Sequence, residues 1–459
     1  MRNPRNRELF GLLPAALLVV GGFTAIFIQQ QGENANAVTN LTLNHASSVS
    51  LTYGAVFLGL CLAAHVLIRF VLPHADPYLF PLAAVLSSVG IVMIYRINPT
   101  DARQQAQGLV LGLILFAVTI LWLRRHGVAV LERYRYTIAA IGIGTALLPR
   151  LPVIGQQVNG AYLNIHLGPV AFQPAELAKV AIVVFLASYL RDNRQILVTA
   201  GRRFLGVTLP PMKQFGPLLA VWGAAMATLL LTRELGTSLM FFGAFLALLY
   251  VATGRLSFPL AGSVLFGLGA WFVATHVGHV HQRVLAWQHP FDTTLYNAPQ
   301  GSYQLAQSLF AQADGGLLGT GLHQSLLQYP VQLSGHTVYR TILPVPESDL
   351  IYSVITNELG LMGAAALLGV YLMFVARGMK TAALARDSFS KLLATGLSFI
   401  VALQVFVIVG GVTRVIPLTG VTLPLVAYGG SSVVMNFVLL ALLLAVSNEV
   451  RAVSARSRR

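Results

Sequence analysis

Long apolar runs alternate with short polar connections along this chain, and the runs predict twelve membrane-spanning helices. They lie at 11–29, 50–72, 78–96, 105–123, 135–149, 173–190, 215–232, 235–253, 257–276, 350–375, 391–413 and 421–446. Runs of this length match the hydrocarbon thickness of a bilayer, so the pattern predicts an all-α polytopic membrane protein. The fifth run is short and is expected to tilt or to stop partway. One interval breaks the rhythm. Between the run ending near His276 and the one starting at Leu350, the loop 277–349 carries Arg283, Trp287, Asp292, Tyr303, glycines 315, 316, 319 and 321, His336, Arg340, Glu347 and Asp349. A chain that is elsewhere mostly membrane concentrates charge, aromatics and glycine there, where binding and chemistry are expected.

Composition supports the same class. Hydrophobic residues make up 56% and charged residues only 10% of the 459 residues, against about 25% charged in soluble domains. The formal charge of +15 would suggest nucleic acid in a soluble protein. Here Arg and Lys gather in alternate connections, at Arg2, Arg5 and Arg7, at Arg124 to Arg135, at Arg191 to Lys213, at Arg377 to Arg386 and at Arg451 to Arg459. That bias places both termini in the cytoplasm and the 277–349 loop outside, with anionic lipid headgroups rather than nucleic acid as partners of the basic side. Arg191 to Gln214 is basic enough to hold a surface helix. Cys61 is alone in an apolar run, so no intrachain disulfide forms. Residues 1–10 precede an apolar run without a convincing cleavage pattern, which predicts a retained first helix.

Polar groups at membrane depth need a partner or a role. Glu176 and Lys179 open the sixth run one helical turn apart; a helix start and a structural pair account for them as well as a site does. Arg233 and Glu234 lie at the turn between the seventh and eighth runs. Asp349 stands just ahead of the tenth run, where Asp commonly caps a helix. Alternatively, Glu347 beside it, Arg340 before it and Glu358 further down the run mark a carboxylate whose pKa is raised and which can act as a general base. Arg283 and Trp287 fall on one face of a short interfacial helix, with Arg283 able to fork onto phosphate or simply to snorkel. His276, His279, His281 and His289 match no zinc spacing, so no metal site is expected from them. Gly429 and Gly430, in a glycine- and proline-dense stretch, allow either tight helix packing or close approach of backbone to a substrate cavity.

Taken in order, these patterns resemble the SEDS family of shape, elongation, division and sporulation proteins. The matching segments are Asn159-Gly160-Ala161, Leu167-Gly168-Pro169, Phe172 to Glu176 with Lys179, Leu235 to Ser238, the glycines from 315 to 321, Pro346 to Asp349 leading to Glu358-Leu359-Gly360, Pro417 to Gly420, and Leu423-Pro424 to Tyr428-Gly429-Gly430-Ser431. The first two runs lie outside this core, as in RodA-like members of actinobacterial type. The resemblance divides the chain into an extension at 1–75, a core at 76–449 and a basic tail at 450–459. There are departures: Ser348 and Leu350 flank Asp349 where the family has Thr and Phe, Arg233-Glu234 replaces Pro-Asp, Ala427 replaces Ser, and 162–165 lacks an Arg-Trp pair.

The resemblance implies a ten-helix core that polymerises lipid II outside the membrane as a peptidoglycan glycosyltransferase, during elongation and shape maintenance, beside a class B penicillin-binding protein. It makes Asp349 the leading catalytic residue. Arg283 and Arg340 would hold pyrophosphate; Glu176, Lys179, Glu358, Gly429 and Gly430 would form the substrate cavity. No tightly bound cofactor is expected, only a divalent cation, Mg2+ or Mn2+, shared with the pyrophosphate. The competing readings are a lipid II flippase and a non-enzymatic scaffold of the elongation or division machinery. The outward concentration of polar residues favours the enzyme over the flippase.

Overall fold

The computed structural model describes residues 4–33, 41–151, 155–158, 161–167, 170–199, 202–204, 207–209, 212–232, 235–298, 301–325, 327–333 and 336–456. It is almost wholly helical, as a backbone that must satisfy its own hydrogen bonds in hydrocarbon requires. The N-terminal extension comprises α1 (Pro4–Gly11), α2 (Leu13–Glu33) and α3 (Leu41–Val71). The core starts with α4 (Leu79–Ile97) and α5 (Pro99–His126), then α6 (Val130–Arg133) and α7 (Arg135–Leu147). A three-stranded antiparallel sheet follows, β1 (Gly155–Val158), β2 (Ala161–Leu167) and β3 (Val170–Phe172). Next come α8 (Pro174–Thr199), the paired β4 (Arg202–Phe204) and β5 (Val207–Leu209), α9 (Met212–Thr232), α10 (Leu235–Thr253) and α11 (Ser257–His276). The long excursion holds α12 (Gly278–Gln288), α13 (Thr293–Tyr296), α14 (Tyr303–Gly315) and the hairpin of β6 (Gln328–Leu333) and β7 (His336–Thr341). The chain closes with α15 (Ile351–Leu384), α16 (Ser388–Val412) and α17 (Gly430–Arg456).

Among the described residues nine helical spans have the length and apolarity of a membrane crossing. The expected fifth, sixth and seventh spans are the helices α7, α8 and α9. With 13 residues, α7 rises about 20 Å, short of a ~30 Å hydrocarbon core. Among the described residues no separate surface helix stands between α8 and α9: α8 runs on to Thr199, and β4 pairs with β5. The local reason is the Phe204-Leu205-Gly206-Val207 sequence, β-formers around a two-residue connection with glycine. Arg233 and Glu234 lie outside the described residues, as do Asn159, Gly160, Gly168 and Pro169.

Local chemistry sets the helix ends. Asn98 caps α5 by accepting from the Thr100 N–H at 2.9 Å, Pro99 occupies the first turn, and Arg124, Arg125 and His126 fill the last. α17 is the central helix, with 89% of its spanning window buried, whereas α11 stands at the periphery with 6%. At the end of the bundle opposite the long excursion, buried Glu8 pairs with Arg5 and lies 2.8 Å from His65 Nδ1, and Arg5 donates to the Ala75 carbonyl. Next to it Asp76, fully buried, pairs with Arg377 and Arg451. These contacts join α1 and α3, the turn before α4, α15 and α17 where each would otherwise leave a charge stranded in apolar surroundings.

Candidate active site

Asp349 occupies a turn immediately before α15. Leu350 is the N-cap residue, and no side chain caps the first turn, so the Asp349 carboxylate is not engaged as a helix cap. The Ser348 hydroxyl lies 3.4 Å from Asp349 Oδ1. Gly420, at φ 69°, brings its backbone against the other side; a Cβ there would stand 3.7 Å from Asp349 Oδ2. Burial pushes the Asp349 pKa up to about 6, opposed by the Ser348 hydrogen bond and by the positive charge of Arg283, and reinforced by Glu347. The carboxyl of Glu347 is also raised, chiefly by burial and further by the facing charge of Asp101.

Arg283 faces this turn from α12, where burial lowers its pKa and the Asp349 charge raises it. The end of α12 is fixed by a reciprocal contact: Trp287 Nε1 donates to the Arg414 carbonyl at 3.0 Å, and the Arg414 guanidinium donates to the carbonyls of Trp287 and Gln288. The loop from Thr413 to Gly429 is thereby tied to the excursion. Its far end is held as well. Tyr428 donates its N–H to the Glu347 carbonyl at 2.8 Å and its hydroxyl to Gln104. Gln105, buried on α5, donates to the Ala427 carbonyl and accepts from the Gly429 N–H, both at 3.1 Å.

Behind this loop Glu176 and Lys179 form a buried pair at 2.6 Å, and Lys179 also donates to Gln404 Oε1 at 2.9 Å. Gln404 in turn donates to the Thr422 carbonyl at 2.8 Å. Lys179 is 1% exposed and Gln404 is fully buried. The pair therefore joins α8, α16 and the loop that presses Gly420 on Asp349, and no cation in that position could be left unpartnered without a large penalty.

The other expected site residues fall as follows. Glu358 is 1% exposed and pairs with Arg96 Nε at 2.6 Å. Gly429 and Gly430 pack on α5, Gly429 through Gln105 and Gly430 with its Cα 3.0 Å from where a Cβ on Gly108 would stand. Helix packing accounts for these contacts, while open space lies where a Cβ on Gly430 itself would stand. Arg340 stands in β7, paired with Tyr329, and its side chain lies outside what the structure describes. The glycines of the excursion are structural, with Gly316 to Gly321 filling a break in α15 at Gly360. Two of the four histidines satisfy helix carbonyls, His276 that of Phe272 and His281 that of Ala274. Among the described residues no three His, Cys, Asp or Glu side chains converge. A divalent cation shared with pyrophosphate oxygens, as the resemblance implies, would not need such a cage.

Gln404, Gln105 and Arg96 were not among the residues expected from sequence. Each is a polar side chain inside an apolar run, and that is the signal by which they could have been found.

A family model of the FtsW, RodA and SpoVE cell cycle proteins matches residues 69–452. The peptidoglycan glycosyltransferase RodA of Mycobacterium tuberculosis is 37% identical over 459 residues, covering 97% of this chain and 91% of that protein. A solved structure of a peptidoglycan synthase complex that coordinates polymerization and crosslinking aligns with TM-score 0.62 and 26% identity, over 82% of this chain and 98% of the other. The Rod shape determining protein RodA of Thermus thermophilus, at 24% identity and TM-score 0.56 over 82% of this chain and 97% of that one, has the same fold. By its matched core, its relatives and its architecture, the chain belongs to the FtsW/RodA/SpoVE family.

Proposed function

We propose that this protein is a peptidoglycan glycosyltransferase of the elongation type that polymerises lipid II, with Asp349 as general base. One observation carries the assignment to Asp349: it is a carboxylate free of capping duty, with its pKa raised to about 6 and Arg283 facing it. A base poised near the working pH is what proton abstraction from a sugar hydroxyl needs. The names of the relatives supply the reaction class.

In the reaction, the 4-hydroxyl of the acceptor sugar attacks the anomeric carbon of the donor. The new glycosidic bond forms as the bond from that carbon to pyrophosphate breaks; the hydroxyl proton passes to Asp349 and undecaprenyl pyrophosphate leaves. Arg283, and Arg340 on the hairpin, would take up the negative charge that grows on the pyrophosphate. Glu176 and Lys179 hold the wall behind Gly420. The excursion faces outward with both termini in the cytoplasm, as the Arg and Lys bias requires, and anionic headgroups meet the basic connections. A class B penicillin-binding protein is the partner, a reading supported by the likeness to the synthase complex.

The test is glycan-chain formation from purified lipid II in liposomes, with and without the cognate class B penicillin-binding protein. Polymer that depends on this chain supports the proposal. No polymer in either condition, with lipid II crossing the bilayer instead, would transfer support to the flippase reading.

A further inference from the structure

α15 is two helices. At Gly360 the backbone turns to φ 66° and ψ −175°, which interrupts the helical hydrogen bonds. The carbonyls and N–H groups stranded by such a break must find partners, because nothing in hydrocarbon replaces them. The excursion provides them. Thr320 and Gly321 donate their N–H groups to the carbonyls of Asn357 and Glu358 at 2.9 and 3.0 Å. Leu361 and Met362 donate theirs to the carbonyls of Gly316 and Leu317 at 2.9 and 3.2 Å. The fit admits no side chain: a Cβ on Gly319 would stand 2.2 Å from the Glu358 carbonyl, and one on Gly360 would stand 2.4 Å from Gly319 N. The stretch from Ile351 to Leu359 is therefore a separate half-helix with Asp349 at its upper end and this plug at its lower end.

One ion pair locks that lower end. Glu358 lies against the backbone of His323 and Ser325 and pairs with Arg96 at 2.6 Å. Arg96, in the last turn of α4, also donates to the Ser325 carbonyl at 2.6 Å. Both charged side chains are buried, at 8% and 1% exposure. Helix α4, the plug and the half-helix are thus closed into one ring of contacts around a single carboxylate.

We infer that Arg96 is a positioning residue for the reaction, which acts through Glu358 to fix the half-helix that ends at Asp349. Along a helix, the nine steps from Asp349 to Glu358 span about 14 Å, so the pair does not touch the reacting atoms. Its effect is on where the base stands. A displacement of about 1 Å at a reacting group costs on the order of 100-fold in rate. Removal of one partner strands the other charge in the interior, which moves the half-helix. Removal of both leaves an apolar contact. The inference rests on Asp349 as the base, and the experiment separates the two.

Initial rates of lipid II polymerisation, measured against lipid II concentration, are compared for wild type, Arg96→Met, Arg96→Lys, the double variant Arg96→Met/Glu358→Met, and Asp349→Asn. Thermal unfolding of each is followed alongside. The expected result is a fall in kcat of about tenfold or more for Arg96→Met with KM within about twofold. Arg96→Lys restores a large part of kcat, and the double variant regains more than Arg96→Met retains. If Arg96→Met does not fold, the Lys and double variants carry the same test. Wild-type kcat in Arg96→Met, a loss confined to KM, or a Lys variant no better than Met overturns the inference. An inactive Asp349→Asn beside unaffected Arg96 variants removes this inference and keeps the base; an active Asp349→Asn removes the base itself.

Discussion

Trp287 and Arg414 hold each other through their main chains. The indole donates to the Arg414 carbonyl at 3.0 Å, and the guanidinium donates to the Trp287 carbonyl at 3.0 Å and to the neighbouring Gln288 carbonyl at 2.7 Å. The contact caps the end of α12, one turn beyond Arg283. Arg414→Met is expected to let α12 shift and to weaken the proposed hold of Arg283 on pyrophosphate. Because the contact is exposed, the loss should be about fivefold, equivalent to about 1 kcal/mol. Initial rates at limiting lipid II check this: KM should rise more than kcat falls.

The pH dependence follows from Asp349. As the proposed base it must be ionised, so polymerisation should rise with pH through about 6 and be lost below it. The Ser348 hydrogen bond and the charge of Arg283 both favour the ionised form. Ser348→Ala and Arg283→Met should therefore move the acid limb of kcat to higher pH. A pH–rate profile of the three proteins measures this, and a limb that stays in place in both variants would contradict it.

Lys179 shares its charge between Glu176 and Gln404 in a buried setting. Lys179→Met leaves Glu176 without its cation and is expected to destabilise the protein by about 3–5 kcal/mol. Adding Glu176→Gln should recover a large part of that loss. Thermal unfolding in detergent reports both changes; if the double variant is no more stable than Lys179→Met, the pair is not the reason.

Gly360 sits at a positive φ against the backbone of the plug. Gly360→Ala combines strain at that φ with a clash against main chain that cannot rotate aside. The expected cost is at least about 1–3 kcal/mol, together with greater hydrogen exchange in residues 316–321 than in wild type. Unchanged exchange there would show that the plug does not depend on the break.

Much of this was legible in the sequence, because apolar runs of bilayer length leave the chain few alternatives. The runs predict where α4, α8, α10, α11, α15 and α16 fall, whereas α17 starts at Gly430, nine residues after its run does; Asp349 stands out as a carboxylate at the head of one of them. What surrounds Asp349 was not legible. Arg283 and Gly420 are far from it in sequence on either side, and neither periodicity nor spacing says that α12 and the 413–429 loop meet at that turn. The glycines from 315 to 321 read as part of a loop for binding and chemistry. Their use as a plug depends on a break in α15 that a single Gly360 in an apolar run does not announce. Glu358 likewise read as a cavity residue because its partner, Arg96, is supplied by a distant helix.

The most direct test of the central claim is polymerisation of purified lipid II by wild type and by Asp349→Asn, each with the proposed class B penicillin-binding partner and each checked for unchanged thermal unfolding. Loss of a general base predicts a fall of about 100-fold or more in the variant. Equal glycan-chain formation by the two proteins would contradict the account and place the base on another residue.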